Sequence, residues 1–550
     1  MTSPSTPPVV AGQAGADGAK PGGARRRGLD PGTWWMMAVP AVVTFVIMLW
    51  GITGASYWRD EAATMSAAQR PLGNLFRTLG NIDAVHGAYY LLIWVMVRLG
   101  GSGELVTRLP SAVAMAGAAV AVAAIGRRLV SPRAGLAAGL VFAVLPEVSL
   151  YGQDARPYAI VVALASLASY LLVRVIQDDA GARHRLLAGY AVCVAALGIV
   201  DIFGLLLIAA HALTVAVQCL RVTGPGTSGP GTSGPGTSGP GTSGPGTSGG
   251  PDRGDGARDA RSLALGWLAA AVAGLLLASP VLALGFVQRG TLSWLSPPGL
   301  GTVENLRQLV GPATMADVVV LVIAAGVVVS AVLGRERLRA SWPGSLPALC
   351  LPWLILPPAL LLVASVVTPV YTLRYVLLCI PAIALLAGAG LASLGWVAGT
   401  AALVVVALLG WPMQLQVRTP DGHGDNIRRA DRIVAANRRP GDAVLEFKAE
   451  NFAQAYPYGI GQLTPVAQAE SPIRSATLIG TFLPDPVVRQ RLTRVHRVWV
   501  VEYGRSRPLV ILNGLDFRLV RAWRTSDIWL FLYARPAVSG GGGSAAAGTR

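Results

Sequence analysis

The chain has 550 residues, 53% of them hydrophobic and only 13% charged, whereas soluble domains carry about 25% charged residues, so a water-soluble globular fold is excluded. Its net charge of +17 does not indicate nucleic acid, because no basic face interleaved with aromatic residues is present; the arginines gather at the ends of apolar runs instead, which is the orientation signal of membrane proteins. Cys193, Cys219, Cys350 and Cys379 all fall inside apolar runs without metal-ligand spacing and read as small hydrophobes.

Residues 1–33 are rich in Gly, Pro and Ala and end in Arg25-Arg26-Arg27, which predicts a disordered cytoplasmic N-terminus. The apolar run 34–54 is too long for a secretory signal peptide and reads as the first span. Just past it stands Tyr57-Trp58-Arg59-Asp60-Glu61. Carboxylates at that depth are costly and tend to mark chemistry or ion handling; the pair could supply a general base together with a metal or substrate ligand, the alternative being a solvated loop. His86 precedes the apolar segment 87–99. Thirteen helical residues cover roughly 20 Å against a hydrocarbon core of about 30 Å, so this helix is expected to lie along the outer interface, within a first outer loop over 54–105.

Spans are then expected at 105–125, 134–151, 158–176, 186–200, 203–220, 263–286, 316–333, 346–367, 376–394 and 396–411, making eleven with the first. Arg127, Arg128 and Arg133 set the inner side. The inner loop 221–262 contains five copies of Gly-Pro-Gly-Thr-Ser between Gly224 and Ser248, a flexible-linker composition. After Trp411 charged residues return and apolar runs shorten to strand length. A helix is expected over 427–437 and strands over 443–447, 498–503 and 528–533, giving a small extracytoplasmic α/β domain over 412–536 and a disordered tail over 537–550. The fold class is thus a polytopic α-helical membrane protein of about eleven transmembrane helices with a small C-terminal α/β domain.

With that topology, Arg59, Asp60, Glu61, His86, Asp154, Arg156, Tyr158, Asp201, Arg374 and Tyr375 all fall at the outer membrane boundary, although they come from separate segments. Carboxylates beside arginines suit a phosphate leaving group: the acids activate an acceptor or hold a divalent cation, and the arginines grip the phosphate. Local readings compete at several positions. His86 could simply start a helix, Asp154 and Arg156 could cap two helices as a pair, Arg374 could snorkel, and Asp201 could only turn a hairpin.

The order Trp58-Arg-Asp-Glu61, His86-Gly-Ala-Tyr-Tyr-Leu-Leu, Glu104-Leu-Val-Thr-Arg-Leu-Pro-Ser111, Gly126-Arg-Arg-Leu and Tyr151-Gly-Gln-Asp-Ala-Arg-Pro-Tyr158 resembles the protein O-mannosyltransferase-like enzymes (glycosyltransferase family 39-like), C-type membrane glycosyltransferases related to the lipid A aminoarabinose transferases. Thr372-Leu-Arg-Tyr375 resembles the family's late outer-face Arg-Tyr, and the composition fits a bacterial, actinobacterial-style member. The resemblance implies inverting transfer of a sugar, most simply mannose, from a polyprenyl-phosphate donor to a protein, lipid or cell-wall acceptor at the outer face of the cell membrane. It implies Asp60 as catalytic base or acceptor-positioning carboxylate with Glu61 beside it. It further implies Arg156 as the second-outer-loop arginine that contacts the donor phosphate or organises the site, Arg374 as the arginine of the late outer loop, and His86 as the histidine of a His-Pro-Pro-like motif. A divalent metal, if the enzyme uses one, would fall to Asp60, Glu61 and His86; no other cofactor is implied. The chain departs from the family at Gly87-Ala88, which replace prolines, and at Asp201-Ile-Phe203, where an aromatic-flanked histidine is usual. Two other functions remain open on sequence: a transporter or flippase of lipid-linked glycans, and a membrane-anchored protein whose outer domain binds cell-wall glycan.

Overall fold

In the computed structural model, residues 34–178, 180–223, 253–292, 295–299, 301–302, 305–332, 346–504 and 510–536 are described. The N-terminal stretch, the Gly-Pro-Gly-Thr-Ser repeats and the C-terminal tail lie outside them.

Every apolar run expected to cross the membrane is helical. They form α1 (Trp35–Leu49), α5 (Glu104–Leu129), α6 (Pro132–Val144) with α7 (Pro146–Gly152), α8 (Tyr158–Gln177), α9 (Ala180–Val200) and α10 (Leu206–Thr223). Beyond the repeats follow α11 (Arg253–Val287), α12 (Ala313–Val332), α13 (Leu346–Val367), α14 (Ile380–Ser393) and α15 (Trp396–Val417). Among the described residues, eight helices are long and apolar enough to span alone, and α6 and α7 make a ninth span bent by 64°. The bend falls at Leu145-Pro146, where the missing proline N–H and the extended Leu145 interrupt the ladder. The two remaining runs, α1 and α12, are shorter apolar helices. Helix α14 is the buried axis of the bundle, nearly all its residues being inaccessible. Small residues permit this: a Cβ on Gly388 would stand 2.3 Å from the Ala138 backbone, and one on Gly390 would stand 2.5 Å from the Val322 carbonyl. Backbones can approach this closely in a membrane only where side chains are nearly absent.

The loop between α1 and α5 is more structured than its sequence announces. Besides the expected helix, α4 (Gly87–Gly100), it forms α2 (Arg59–Ala68) and α3 (Leu72–Asn81). Tyr89, Tyr90 and Ile93 of α4 pack on Ala67, Ala68 and Leu75, so all three helices make one small cap on the bundle.

The C-terminal region stands on the same end of the bundle. After α16 (Ile427–Asn437) come β1 (Ala443–Phe447), α17 (Phe452–Ala455), β2 (Thr464–Pro465), β3 (Gln468–Glu470), α18 (Pro472–Ser475), β4 (Thr481–Phe482), α19 (Asp485–Leu492), β5 (Arg497–Tyr503), β6 (Arg518–Thr525) and β7 (Ile528–Ala534). The main sheet has the order β2-β1-β5-β7-β6, with β1 parallel to β2 and β5 and the last two strands antiparallel. Strand β6 escaped the sequence pattern because it is an exposed edge studded with arginines. One core of this domain is continuous with the cap: Tyr57, Ala62 and Met65 cluster with Ile427, Val444, Phe452 and Trp499.

Candidate active site

Asp60 and Glu61 are the second and third residues of α2, where carboxylates are favoured by the helix dipole. Neighbouring residues of an α-helix point about 100° apart, so the pair cannot face one cavity. Asp60 turns to a cavity of about 170 Å³, and Glu61 turns away from it into the protein. Arg374 Nη1 meets Asp60 Oδ2 at 2.6 Å, and Arg59 Nε lies 3.9 Å from Oδ1.

The cavity collects six parts of the chain. Arg59 and Asp60 come from α2, Asp83 and His86 from the turn before α4, and Arg156 and Tyr158 from the junction of α7 and α8. Asp201 and Phe203 come from the α9–α10 hairpin, Arg289 from the end of α11, and Arg374 and Tyr375 from the turn before α14. Tyr375 stacks on Phe203 with ring centroids 4.1 Å apart. His86 Nδ1 is 2.7 Å from Asp83 Oδ1, and His86 Nε2 is 3.2 Å from Arg156 Nη2. A guanidinium only donates, which assigns the tautomer: Nε2 accepts from Arg156 and Nδ1–H donates to Asp83. Against the cost of burial, His86, Arg156 and the Tyr90 hydroxyl hold Asp83 well below the usual carboxylate range. Asp83 sits at φ 63°, a left-handed conformation that a non-glycine residue adopts where surroundings over-determine it. Arg156 is 6% exposed, and its Nε has no hydrogen-bond partner among the described residues. Asp201 both lines the cavity and caps the hairpin, its Oδ1 accepting from the Phe203 N–H at 2.9 Å; burial raises its pKa.

Of the residues singled out on sequence, Arg59, Asp60, His86, Arg156, Tyr158, Asp201, Arg374 and Tyr375 meet in this cavity, and Glu61 and Asp154 do not. Both lie behind it. Glu61 is fully buried against Arg108, with Nε to Oε1 at 2.8 Å and Nη2 to Oε2 at 2.6 Å. Oε1 also accepts the Ala155 N–H at 2.7 Å. Asp154 Oδ1 accepts the Trp58 indole N–H at 2.9 Å. Asp83 and Arg289 escaped sequence reading because each sits in a polar loop with no periodic pattern, and only the fold brings them beside His86 and Asp60.

Burial works against a charge on Glu61, but Arg108, with help from His423, holds it down to about 2. His423 Nδ1 is 3.7 Å from Glu61 Oε2, and burial lowers the imidazole below its ordinary range while Glu61 works in the opposite direction. Because the folded pKa lies below the unfolded value, the stability that Glu61 contributes is present above about pH 4.5 and is lost as pH falls towards 2. Thermal melts of solubilised protein should therefore show the gap between wild type and Glu61→Gln closing as pH is lowered from 6 to 3. A constant gap would refute the ionised pair.

The donor atoms do not suit a metal ion. Asp60, Glu61 and His86 do not converge; the His/Cys/Asp/Glu set found among the described residues, with ligand atoms within 4.8 Å, is Glu61, Asp154 and His423. There both Glu61 oxygens face the Arg108 guanidinium, which holds the position a cation would need.

Residues 87–223 match the family described as dolichyl-phosphate-mannose-protein mannosyltransferase. No curated protein matches the chain. Among solved structures, ArnT from Cupriavidus metallidurans in the apo state superposes with TM-score 0.57 at 15% identity, covering 90% of this chain and 97% of that one. The same protein bound to undecaprenyl phosphate gives TM-score 0.52 at 15% identity with the same coverage. The arrangement of spans, helical cap and small sheet domain is therefore the fold of ArnT, and residues 87–223 within it are similar to the dolichyl-phosphate-mannose-protein mannosyltransferase family.

Proposed function

We propose that the chain transfers a sugar, mannose being the first choice, from a polyprenyl-phosphate donor to an acceptor hydroxyl with inversion at the anomeric carbon. The reading rests on one observation: Asp60 shares a cavity with Arg59, Arg156, Arg289 and Arg374, while the other two carboxylates there are engaged, Asp83 with His86 and Tyr90 and Asp201 with the Phe203 N–H. The ArnT structure with undecaprenyl phosphate supports the choice of lipid carrier. Asp60 accepts the proton of the attacking hydroxyl through Oδ1, the acceptor oxygen bonds the anomeric carbon, and the bond to the phosphate oxygen on the opposite side breaks. The electron pair leaves on the lipid phosphate, where Arg156 and Arg374 neutralise it. His86, fixed by Asp83, keeps Arg156 aimed into the cavity. Glu61, Arg108 and Asp154 hold the N-terminus of α2 rather than touch substrate, and no metal takes part in this scheme.

We assign the cavity and the α/β domain to the extracytoplasmic side and the N-terminus to the cytoplasm. Arg127 and Arg128 end α5 at the opposite pole from Glu104, with Arg133 just beyond, which follows the positive-inside rule. The test is transfer in nanodiscs with undecaprenyl-phosphate-linked mannose, arabinose and glucose, each with radiolabelled sugar. Arg374→Lys should raise the donor KM at least about tenfold, because lysine cannot offer the donor phosphate two parallel N–H bonds as a guanidinium can. If no lipid-phosphate sugar is consumed while the protein remains folded, the enzyme reading fails and transport of a lipid-linked glycan becomes the better one.

A further inference from the structure

A second cavity, of about 380 Å³, lies between the α/β domain and the C-terminal end of α2. Strands β2, β1 and β5 are parallel with β1 in the middle, so the chain leaves β1 on one side to form β2 and returns on the other to form β5. Open α/β sheets bind ligands outside the carboxyl ends of their strands at such reversals. The two-residue period of β1 sends Val444 and Glu446 to the cavity, while Ala443 and Leu445 pack on the other face. Glu450 follows in the loop after β1, and Gln69 and Arg70 close the cavity from the end of α2.

Glu446 Oε1 is buried and lacks a hydrogen-bond partner among the described residues, which in a native fold calls for a reason. Burial, with Glu450 adding to it, pushes the Glu446 carboxyl up to about 8. Arg70 does not serve it: its guanidinium donates to Ser66 O at 2.7 Å, Thr78 Oγ1 at 2.7 Å, Pro472 O at 3.1 Å and Thr477 O at 2.6 Å. Among the described residues no aromatic side chain lines this cavity to stack on a sugar ring; apolar Val444, Ile460 and Leu463 stand beside amide side chains such as Gln454 and Gln468. This mixture suits a peptide backbone with a basic side chain.

We propose that this cavity is an acceptor subsite, receiving a peptide segment whose lysine or arginine side chain reaches Glu446 and Glu450. The proposal rests on the transfer reading above, since it takes the peptide to be what carries the acceptor hydroxyl. The two cavities then have opposite tastes, arginines for the donor phosphate and carboxylates for the acceptor. Asp60 and Gln69 are separated by about 14 Å along α2 at 1.5 Å per residue, a distance that about four residues of extended peptide cover. The basic residue is therefore expected about four positions from the hydroxyl that is modified.

Full-length protein in nanodiscs would be titrated, without donor, with fluorescein-labelled capped octapeptides. Each carries one threonine and, four positions on, a lysine, an alanine or a glutamate. The lysine peptide should bind at least about tenfold more tightly than the alanine peptide, the scale of one charge-assisted contact, and the glutamate peptide most weakly. Glu446→Gln, which keeps the side-chain shape, should bring the lysine and alanine peptides to within about twofold, and Glu450→Gln should act in the same direction; in transfer assays the loss should fall in the peptide KM. Equal binding of all three peptides, or displacement of the lysine peptide by a mannose oligosaccharide, overturns the subsite. Discrimination between peptides without sugar transfer leaves the cavity a basic-peptide site but removes its role as an acceptor subsite along with the transfer reading. Transfer without discrimination does the opposite.

Discussion

Asp60→Asn should lower the rate of sugar transfer by about 10³-fold, within the range that a positioned general base supplies, while leaving the folded state intact. Asparagine has the size of aspartate and can still accept from Arg374 through its amide oxygen, so the 2.6 Å contact survives as a weaker bond. What it cannot do is take the acceptor's proton. The donor should still bind, because the variant removes a negative charge from among four arginines, and the donor KM is expected to stay level or fall. The loss should therefore appear in kcat, read from initial rates over a range of donor concentration, with the melting temperature within about 2 °C of wild type, as for other substitutions that neither open a cavity nor bury a new polar group. A variant retaining more than a tenth of the wild-type rate would remove Asp60 from the proton transfer and leave it a partner for Arg374.

The membrane spans were legible because a bilayer demands long apolar runs, and each of them became a helix. The candidate site was legible to the extent that it is built from polar residues at the ends of those runs, as Asp60, Arg156 and Arg374 are. Four features were not. Asp60 and Glu61 look equivalent in sequence, and only the helical start of α2 separates them. That helix is short and averages slightly polar, so apolar periodicity gives no warning of it. Asp83 is an ordinary loop aspartate until the fold sets it against His86, and its left-handed backbone cannot be read from its type. The contact of His423 with Glu61 crosses from the start of the C-terminal region into the cap, a long-range pairing that no local pattern encodes. Strand β1 was expected over 443–447 as a short apolar run, but nothing in that run singles out Glu446, whose place beside the end of α2 depends on how the domain docks.

Glu61→Gln should destabilise the protein by about 3–5 kcal/mol, the cost of removing one partner from a buried ion pair, and this loss should precede any effect on chemistry. Both side chains are 0% exposed, so the Arg108 guanidinium would be left charged and without its counter-ion. Arg108 also donates to the carbonyls of Ile52, Ala55 and Ser56 at 2.8, 3.0 and 3.2 Å. The pair thus ties the start of α2 to the chain leaving α1, to α5 and, through Ala155, to the loop that carries Arg156. A double variant, Glu61→Gln with Arg108→Gln, should be more stable than the sum of the two single losses predicts, since the second change removes the stranded charge; it should remain below wild type because glutamine cannot reach three carbonyls. Melting curves for the four proteins give the coupling energy, and transfer per folded molecule separates support from chemistry. In the support reading, the molecules of Glu61→Gln that remain folded keep measurable transfer, with Asp60 displaced but present. A variant that melts with the wild type yet transfers no sugar would put Glu61 among the reacting groups, and the division of labour between these adjacent carboxylates would have to be redrawn.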